Sequence, residues 1–270
     1  MKKAISKIMR NSMTSVILAC LVIGLIFSIA AEGFLSSFNI INILRTASVT
    51  IAIGLAQLSV LSVGQFNLAL GSVGCMSAMA YAYLLQVAGV HPVIAIIAAI
   101  AMGFLLGWIQ GILVTKTGLN PFVVTLALQS IYKGAATVIF EGHLLNELPS
   151  AVKEINKINV LGIPLLFIIA IVLVVVMQIY MNKTTFGRKL LETGESEKTA
   201  LIAGLRPQRQ IITAHSVSGI LAGCAAVIAV SRLGAAQLSL GSDWMLMSFA
   251  APVLGGTLLS GGKVSPIGTI

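Results

Sequence analysis

The sequence predicts an all-α integral membrane protein, a polytopic helix bundle of about eight transmembrane spans, from three observations. Hydrophobic residues make up 57% of the 270 and charged residues 9%, with a mean hydropathy of +1.02. Soluble domains are roughly half apolar and a quarter charged. The apolar residues fall into runs long enough for a bilayer, which needs about 20 residues per helical span. The 17 Lys and Arg residues, Lys133 excepted, lie between those runs, so the net charge of +9 reads as membrane topology rather than as a nucleic-acid surface.

Lys2, Lys3, Lys7 and Arg10 precede an apolar run through Ala31. A retained signal-anchor helix is the simpler reading, and cleavage after Ser28-Ile29-Ala30 is the alternative. Either places the next loop, around residues 32 to 45, outside. Further spans are expected near 46–63, 68–88, 93–114, 119–140, 162–182, 210–231 and 244–260. Val264 to Ile270 then starts another apolar segment, so the chain is expected to be C-terminally truncated.

Only Gly64-Gln65-Phe66-Asn67 interrupts the stretch from Val49 to Leu85, which is one long helix or two spans. Charge arbitrates. Two crossings with a cytoplasmic N-terminus put twelve of the 17 basic residues inside: the four N-terminal ones, Lys116, the six from Lys183 to Arg209, and Lys263. One crossing would put those six outside, against the positive-inside bias. A four-residue break is tight for a surface loop, and irregular backbone at membrane depth persists only where it is buried in protein or lines a watery cavity. The break is therefore a candidate for a solute path, with a plain surface hairpin as the alternative.

Gly103, Gly107 and Gly111 form a doubled GxxxG and Gly219 with Gly223 repeats it, which predicts close helix packing within a bundle. Intramembrane ionisable groups mark ion-driven routes. They are scarce here, with Asp243 at a span edge, Lys133 read as snorkelling or as a mis-set helix boundary, and His215 read as packed or interfacial rather than as a proton relay. Cys20, Cys75 and Cys224 lack CxxC spacing, and His91, His143 and His215 are scattered, so no metal, cofactor or catalytic site is expected. The stretch Gly256 to Ser265 has too long a frame for a phosphate-binding loop, and Val264 follows Lys263 where Ser or Thr is required, so this chain is not expected to bind ATP.

The polar, basic segment 183–209 contains a helix-like stretch from Glu195 to Ala203, ended by Gly204 and followed by Pro207. A cytoplasmic helix between two spans suits docking of a partner.

At four places the chain resembles the permease subunit of ribose-type, binding-protein-dependent ABC importers. Gly64-Gln65-Phe66-Asn67-Leu68-Ala69-Leu70-Gly71-Ser72 stands where that family has a motif close to Gly-Gly-Ile-Asp-Leu-Ser-Val-Gly-Ser. Pro121 to Leu126 resembles its Pro-Phe-Ile-Val-Thr-Leu. Thr185-Phe186-Gly187-Arg188, then Gly194, Glu197, Ala200 and Gly204-Leu205, resemble its cytoplasmic run, and Val253 to Gly262 resembles its Val-Leu-Gly-Gly-Thr-Ser-Leu-Ser-Gly-Gly.

The resemblance implies a single transmembrane permease domain over 1–270, cut short of a ten-span family fold, in the bacterial inner membrane. It implies a non-catalytic subunit that pairs with a second permease copy or paralogue and receives solute from a periplasmic binding protein. Two ATP-binding cassette ATPase subunits would dock through a coupling loop at 183–209, with Gly194, Glu197, Ala200, Gly204 and Leu205 at the contact. The expected solute is small and neutral, a monosaccharide or related polyol, passing Gln65, Asn67 and Gln129. Asn67 in place of the family's Asp removes a charge from that path. Gln129 and Asn67 read equally as interhelical hydrogen-bond glue. An ion-coupled secondary transporter is the alternative, which the scarcity of intramembrane carboxylates opposes.

Overall fold

The computed structural model describes residues 12–270; the basic residues of the N-terminus lie outside them. The helices are α1 (Ser12–Ala30), α2 (Ser37–Leu61), α3 (Leu70–Gln86), α4 (Pro92–Thr117), α5 (Pro121–Phe140), α6 (Ser150–Ile155), α7 (Leu165–Lys183), α8 (Thr185–Glu195), α9 (Glu197–Ile202), α10 (Pro207–Leu233) and α11 (Trp244–Leu254). Two two-residue strands, β1 (Asn159–Val160) and β2 (Ile163–Pro164), pair antiparallel between α6 and α7. Among the described residues five helices, α2, α4, α5, α7 and α10, are long and apolar enough to cross a membrane. With the shorter apolar α1 and α11 and the buried 17-residue α3, they form the all-α polytopic bundle expected.

Local chemistry sets the helix boundaries. Pro92, Pro121 and Pro207 each open a helix, where a missing N–H costs nothing. His91 and Asn120 accept the backbone N–H of Val93 and Phe122 through their side chains. Gly118 and Gly234 end α4 and α10 with φ of 63° and 68°, a conformation that favours glycine.

The bundle is built around α10, which packs on α2, α3 and α4. The two glycine motifs face each other: a Cβ on Gly107 would meet Gly219 Cα at 3.0 Å, and one on Gly223 would meet the Ala99 carbonyl at 2.9 Å. Lipid tails are as apolar as Leu, so helices associate through such close backbone approach. By contrast, α4, α5 and α7 leave most of their surface outside the bundle, with Ile97, Val172 and Val176 more than half exposed. His215 is fully enclosed, as its packed reading required.

Three expectations need correction. Residues 32–45 are not one loop, because α2 starts at Ser37, where the Ser36 hydroxyl accepts the Asn39 N–H; Asn39, Asn42 and Arg45 disguised two helical turns. The last span stops at Leu254, short of residue 260, because Gly255 lies against the Gly268 backbone and Gly256 turns at φ 87°. The 183–209 segment holds two helices, since Thr184 caps α8 by accepting the Gly187 N–H and a side chain on Gly187 would strike Tyr180 and Met181.

The bundle has two distinct ends. At one, Gln86 Oε1 accepts the Glu147 N–H, Leu145 bridges Ala236, and Asn156 donates to the Arg232 carbonyl. At the other lie α8 and α9. After Ala236 the chain turns back into the bundle. The Leu238 carbonyl accepts Cys75 Sγ at 3.5 Å, the Gly241 backbone abuts Gly71, and the Trp244 ring covers Gly74. Asp243 therefore stands just before α11, exposed, between two residues packed on α3.

Candidate translocation site

The break after α2 is a helix C-cap set inside the protein. Gly64 has φ 72°, its N–H donates to the Leu61 carbonyl and the Gln65 N–H to the Val60 carbonyl, the two bonds of a Schellman motif. Asn67 shapes the turn that leads into α3, its Oδ1 accepting the Ala69 N–H at 3.0 Å. Its Nδ2 donates to Gln110 Oε1 at 3.0 Å and to Ser218 Oγ at 3.4 Å, tying α4 and α10 to the break. An amide supplies both donor and acceptor, and an ionised carboxylate supplies only acceptors; that accounts physically for Asn at this position. Thr125 Oγ1 accepts the Leu68 N–H, which binds α5 to the same segment. His215 Nε2 lies 3.3 Å from Gln65 Oε1, within hydrogen-bond reach across to α10.

Asn67 is completely enclosed and Gln65 nearly so. Gln129 is elsewhere, so the three path residues expected from the sequence do not gather in one place. Gln65 and Asn67 sit in an interhelical network, which for Asn67 was the alternative reading; Gln129, given the same alternative, lines a small cleft instead.

Two separate spaces lie along α5. The larger, about 760 Å³, does not include Gln129; it is walled by Phe122 and Leu126 of α5 and by Leu246, Phe249 and Val253 of α11, with Phe66 and Leu68 of the break as floor. The Phe66 and Phe249 rings lie 5.6 Å apart, tilted at 45°. Phe122, Leu126, Gln129 and Lys133 recur at helical spacing on one face of α5. Past Leu126 the face turns polar: Gln129, Lys133, Ser72, Cys75 and Ser242 line a second, distinct cleft of about 60 Å³. Lys133 lies within the helix, so the mis-set boundary is ruled out. Ser242, which lines this cleft, was not singled out from the sequence because the turn that carries it has no periodicity.

The segment 183–209 meets the break directly. A Cβ on Gly194 would strike the Ser62 carbonyl and would lie 2.8 Å from Gly262 N; one on Gly261 would lie 2.7 Å from Gly64 N and 2.8 Å from the Gly194 carbonyl. The Gly262 N–H donates to the Ser62 carbonyl at 3.2 Å. Bare backbone from α8, from the end of α2 and from the loop after α11 thus interlocks at one point. Beyond it, Glu197 sits in the first turn of α9, Ala200 is buried, and the Leu205 N–H donates to the Ala200 carbonyl after a turn at Gly204, φ 77°. Ile202 is 88% exposed at that end.

The family described as "Branched-chain amino acid transport system / permease component" matches residues 39–270. The chain is 34% identical to the ribose import permease protein of Bacillus subtilis over 255 residues, 94% of this chain and 79% of that protein. It is 31% identical to the D-allose transport system permease protein of Escherichia coli K12, covering 90% of this chain and 74% of that protein. It is 30% identical to the autoinducer 2 import system permease protein of the same strain, covering 91% and 77%. No solved structure matches. These relatives are transport components and not enzymes. A multi-pass apolar bundle matched over nearly its whole length by import permeases is itself one of them: the chain belongs to this family of membrane permease components, alongside the ribose-type import permeases.

Proposed function

We propose that this chain is the membrane-spanning, non-catalytic subunit of an ABC importer that moves a small neutral solute, a monosaccharide or related polyol, across the bacterial inner membrane. ATP-binding cassette subunits dock at the α8–α9 end, a second permease copy or paralogue completes the path, and a periplasmic binding protein delivers solute at the other end. The α8–α9 end carries Lys183, Arg188, Lys189, Lys198, Arg206 and Arg209, which favours placing it in the cytoplasm, with the N-terminus on the same side. The relatives import ribose, allose and autoinducer 2, and the sugar class is carried over from them.

The observation that carries this reading is the interlock of Gly194 with Ser62 and Gly262. A push on α8 and α9 from docked ATPases has no side chain to absorb it and passes directly to the segment bearing Gln65 and Asn67. The 183–209 segment thereby serves as the coupling loop, with Gly194 at the joint and Glu197, Ala200, Gly204 and Leu205 on the docking side.

The test is uptake of labelled D-ribose and D-allose by cells expressing the chain with its partner subunits. Uptake that survives dissipation of the membrane potential and stops on ATP depletion is expected. Uptake that collapses with the potential at constant ATP would mean an ion-coupled transporter instead.

A further inference from the structure

Two opposite charges lie well inside the length of the apolar helices. Lys133, which lines the small cleft, lies one turn beyond Gln129, about 10 Å of helix from the Phe140 end of α5. Asp243 stands between Gly241, which abuts Gly71, and Trp244, which covers Gly74, about 18–23 Å of α3 from Gln86. Both side chains are exposed, and neither forms an ion pair among the described residues. The Ser242 hydroxyl, with one proton to give, lies 2.8 Å from the Ser239 carbonyl and 3.0 Å from Asp243 Oδ1, and Ser242, Lys133 and Gln129 border the same cleft. Gln129 Oε1 is buried without a hydrogen-bond partner.

Lipid does not face such a surface. A Lys stem can carry its ammonium toward the interface, but an Asp is too short to do so. Ser242 and Asp243 also belong to irregular re-entrant backbone, which at membrane depth is confined to protein interior or to the wall of a watery cavity. Their exposure selects the second.

We propose that Gln129, Lys133, Ser242 and Asp243 form a polar wall at which a neutral polyhydroxylated solute docks midway along its path. The ammonium donates to solute hydroxyl oxygens, the carboxylate accepts from solute hydroxyls, and the Gln129 amide does both. Charge-assisted bonds are the stronger ones, and the two charges cancel, so the wall favours neither a cation nor an anion. The docking role rests on the importer reading; the aqueous character of the wall does not.

Two measurements test it. Starting from a complex with Cys20→Ser, Cys75→Ala and Cys224→Ala, single cysteines are placed by Lys133→Cys, Ser242→Cys and, as a lipid-facing control on α7, Val172→Cys. Each is exposed in membranes to a charged, membrane-impermeant methanethiosulfonate. Reaction at 133 and 242 at least tenfold faster than at 172 is expected; rates equal to that at 172 would overturn the proposal. In the otherwise native complex, Lys133→Met and Asp243→Asn are each expected to lower D-ribose or D-allose uptake at least tenfold, with Lys133→Arg retaining most of it. Undiminished uptake in both neutral variants would remove the docking role even if the cysteines react. If the native complex takes up neither sugar, the sugar reading fails and the docking role with it, while the labelling rates still decide whether the wall is wet.

Discussion

Gly194, at the end of α8, lies so close to the carbonyl of Ser62, at the end of α2, that a Cβ there would collide with it. Gly194→Ala must therefore push the two backbones apart. Forcing one extra methyl into a packed contact costs about 1–3 kcal/mol, and here the displaced element is the joint itself. We expect at least a tenfold loss of solute uptake, with the ATPase subunits still co-purifying. Gly134→Ala is the control, because that α5 glycine has open space around it; it should leave uptake unchanged. Full uptake by Gly194→Ala would remove the mechanical role of the joint.

The docking side of the same segment is tested separately. Ala200 is the buried residue of α9 and Gly204 turns with positive φ in open space. Ala200→Trp together with Gly204→Trp should deform α9 while sparing the Gly194 contact. Loss of ATPase co-purification from mild detergent is expected; recovery in equal amount would refute the assignment of the coupling loop.

Asn67 and Gln110 are predicted to be energetically coupled. Interhelical polar bonds in membranes are worth on the order of 0.6–2 kcal/mol, and the 3.0 Å bond between them is fully buried. A double-mutant cycle of Asn67→Ala and Gln110→Ala, read by thermal unfolding in detergent, should give a coupling near ~1 kcal/mol. Additive effects would mean that the bond contributes nothing. Asn67→Asp should also destabilise, because a carboxylate cannot donate to Gln110 Oε1 and its charge would be enclosed.

These cases show how far the sequence could be read. Apolar run length located α4, α5, α7 and α10 to within a few residues, because a bilayer imposes one length scale on all of them. The facing of Gly103 and Gly107 with Gly219 was legible as a shared motif, although which helices it joined was not. The path residues were harder. A break in a span is visible as Gly64 to Asn67, yet whether Asn67 faces water or Gln110 depends on contacts 43 and 151 residues away in the chain. Asp243 was read at a span edge and does stand just before α11; that the turn carrying it packs on Gly71 and Gly74 was not legible, since hydropathy reports composition and not tertiary contact.

The glycine seam between α4 and α10 yields the most stringent test of the bundle. A Cβ on Gly103 or Gly219 would strike the other's carbonyl, and these are backbone atoms of buried helices that cannot rotate away. Gly219→Leu should therefore separate the helices rather than repack them, and it should disrupt the Asn67–Ser218 contact one residue away. The loss is expected to exceed about 3 kcal/mol, above the usual range for overpacking, and to appear as failure to recover folded protein from membranes. Gly219→Ala, with the smallest possible side chain, should fold with lowered thermal stability, giving a graded series. If Gly219→Leu unfolded at the same temperature as the native chain, α4 and α10 could not be in backbone contact, and the placement of Asn67 between them would fall as well.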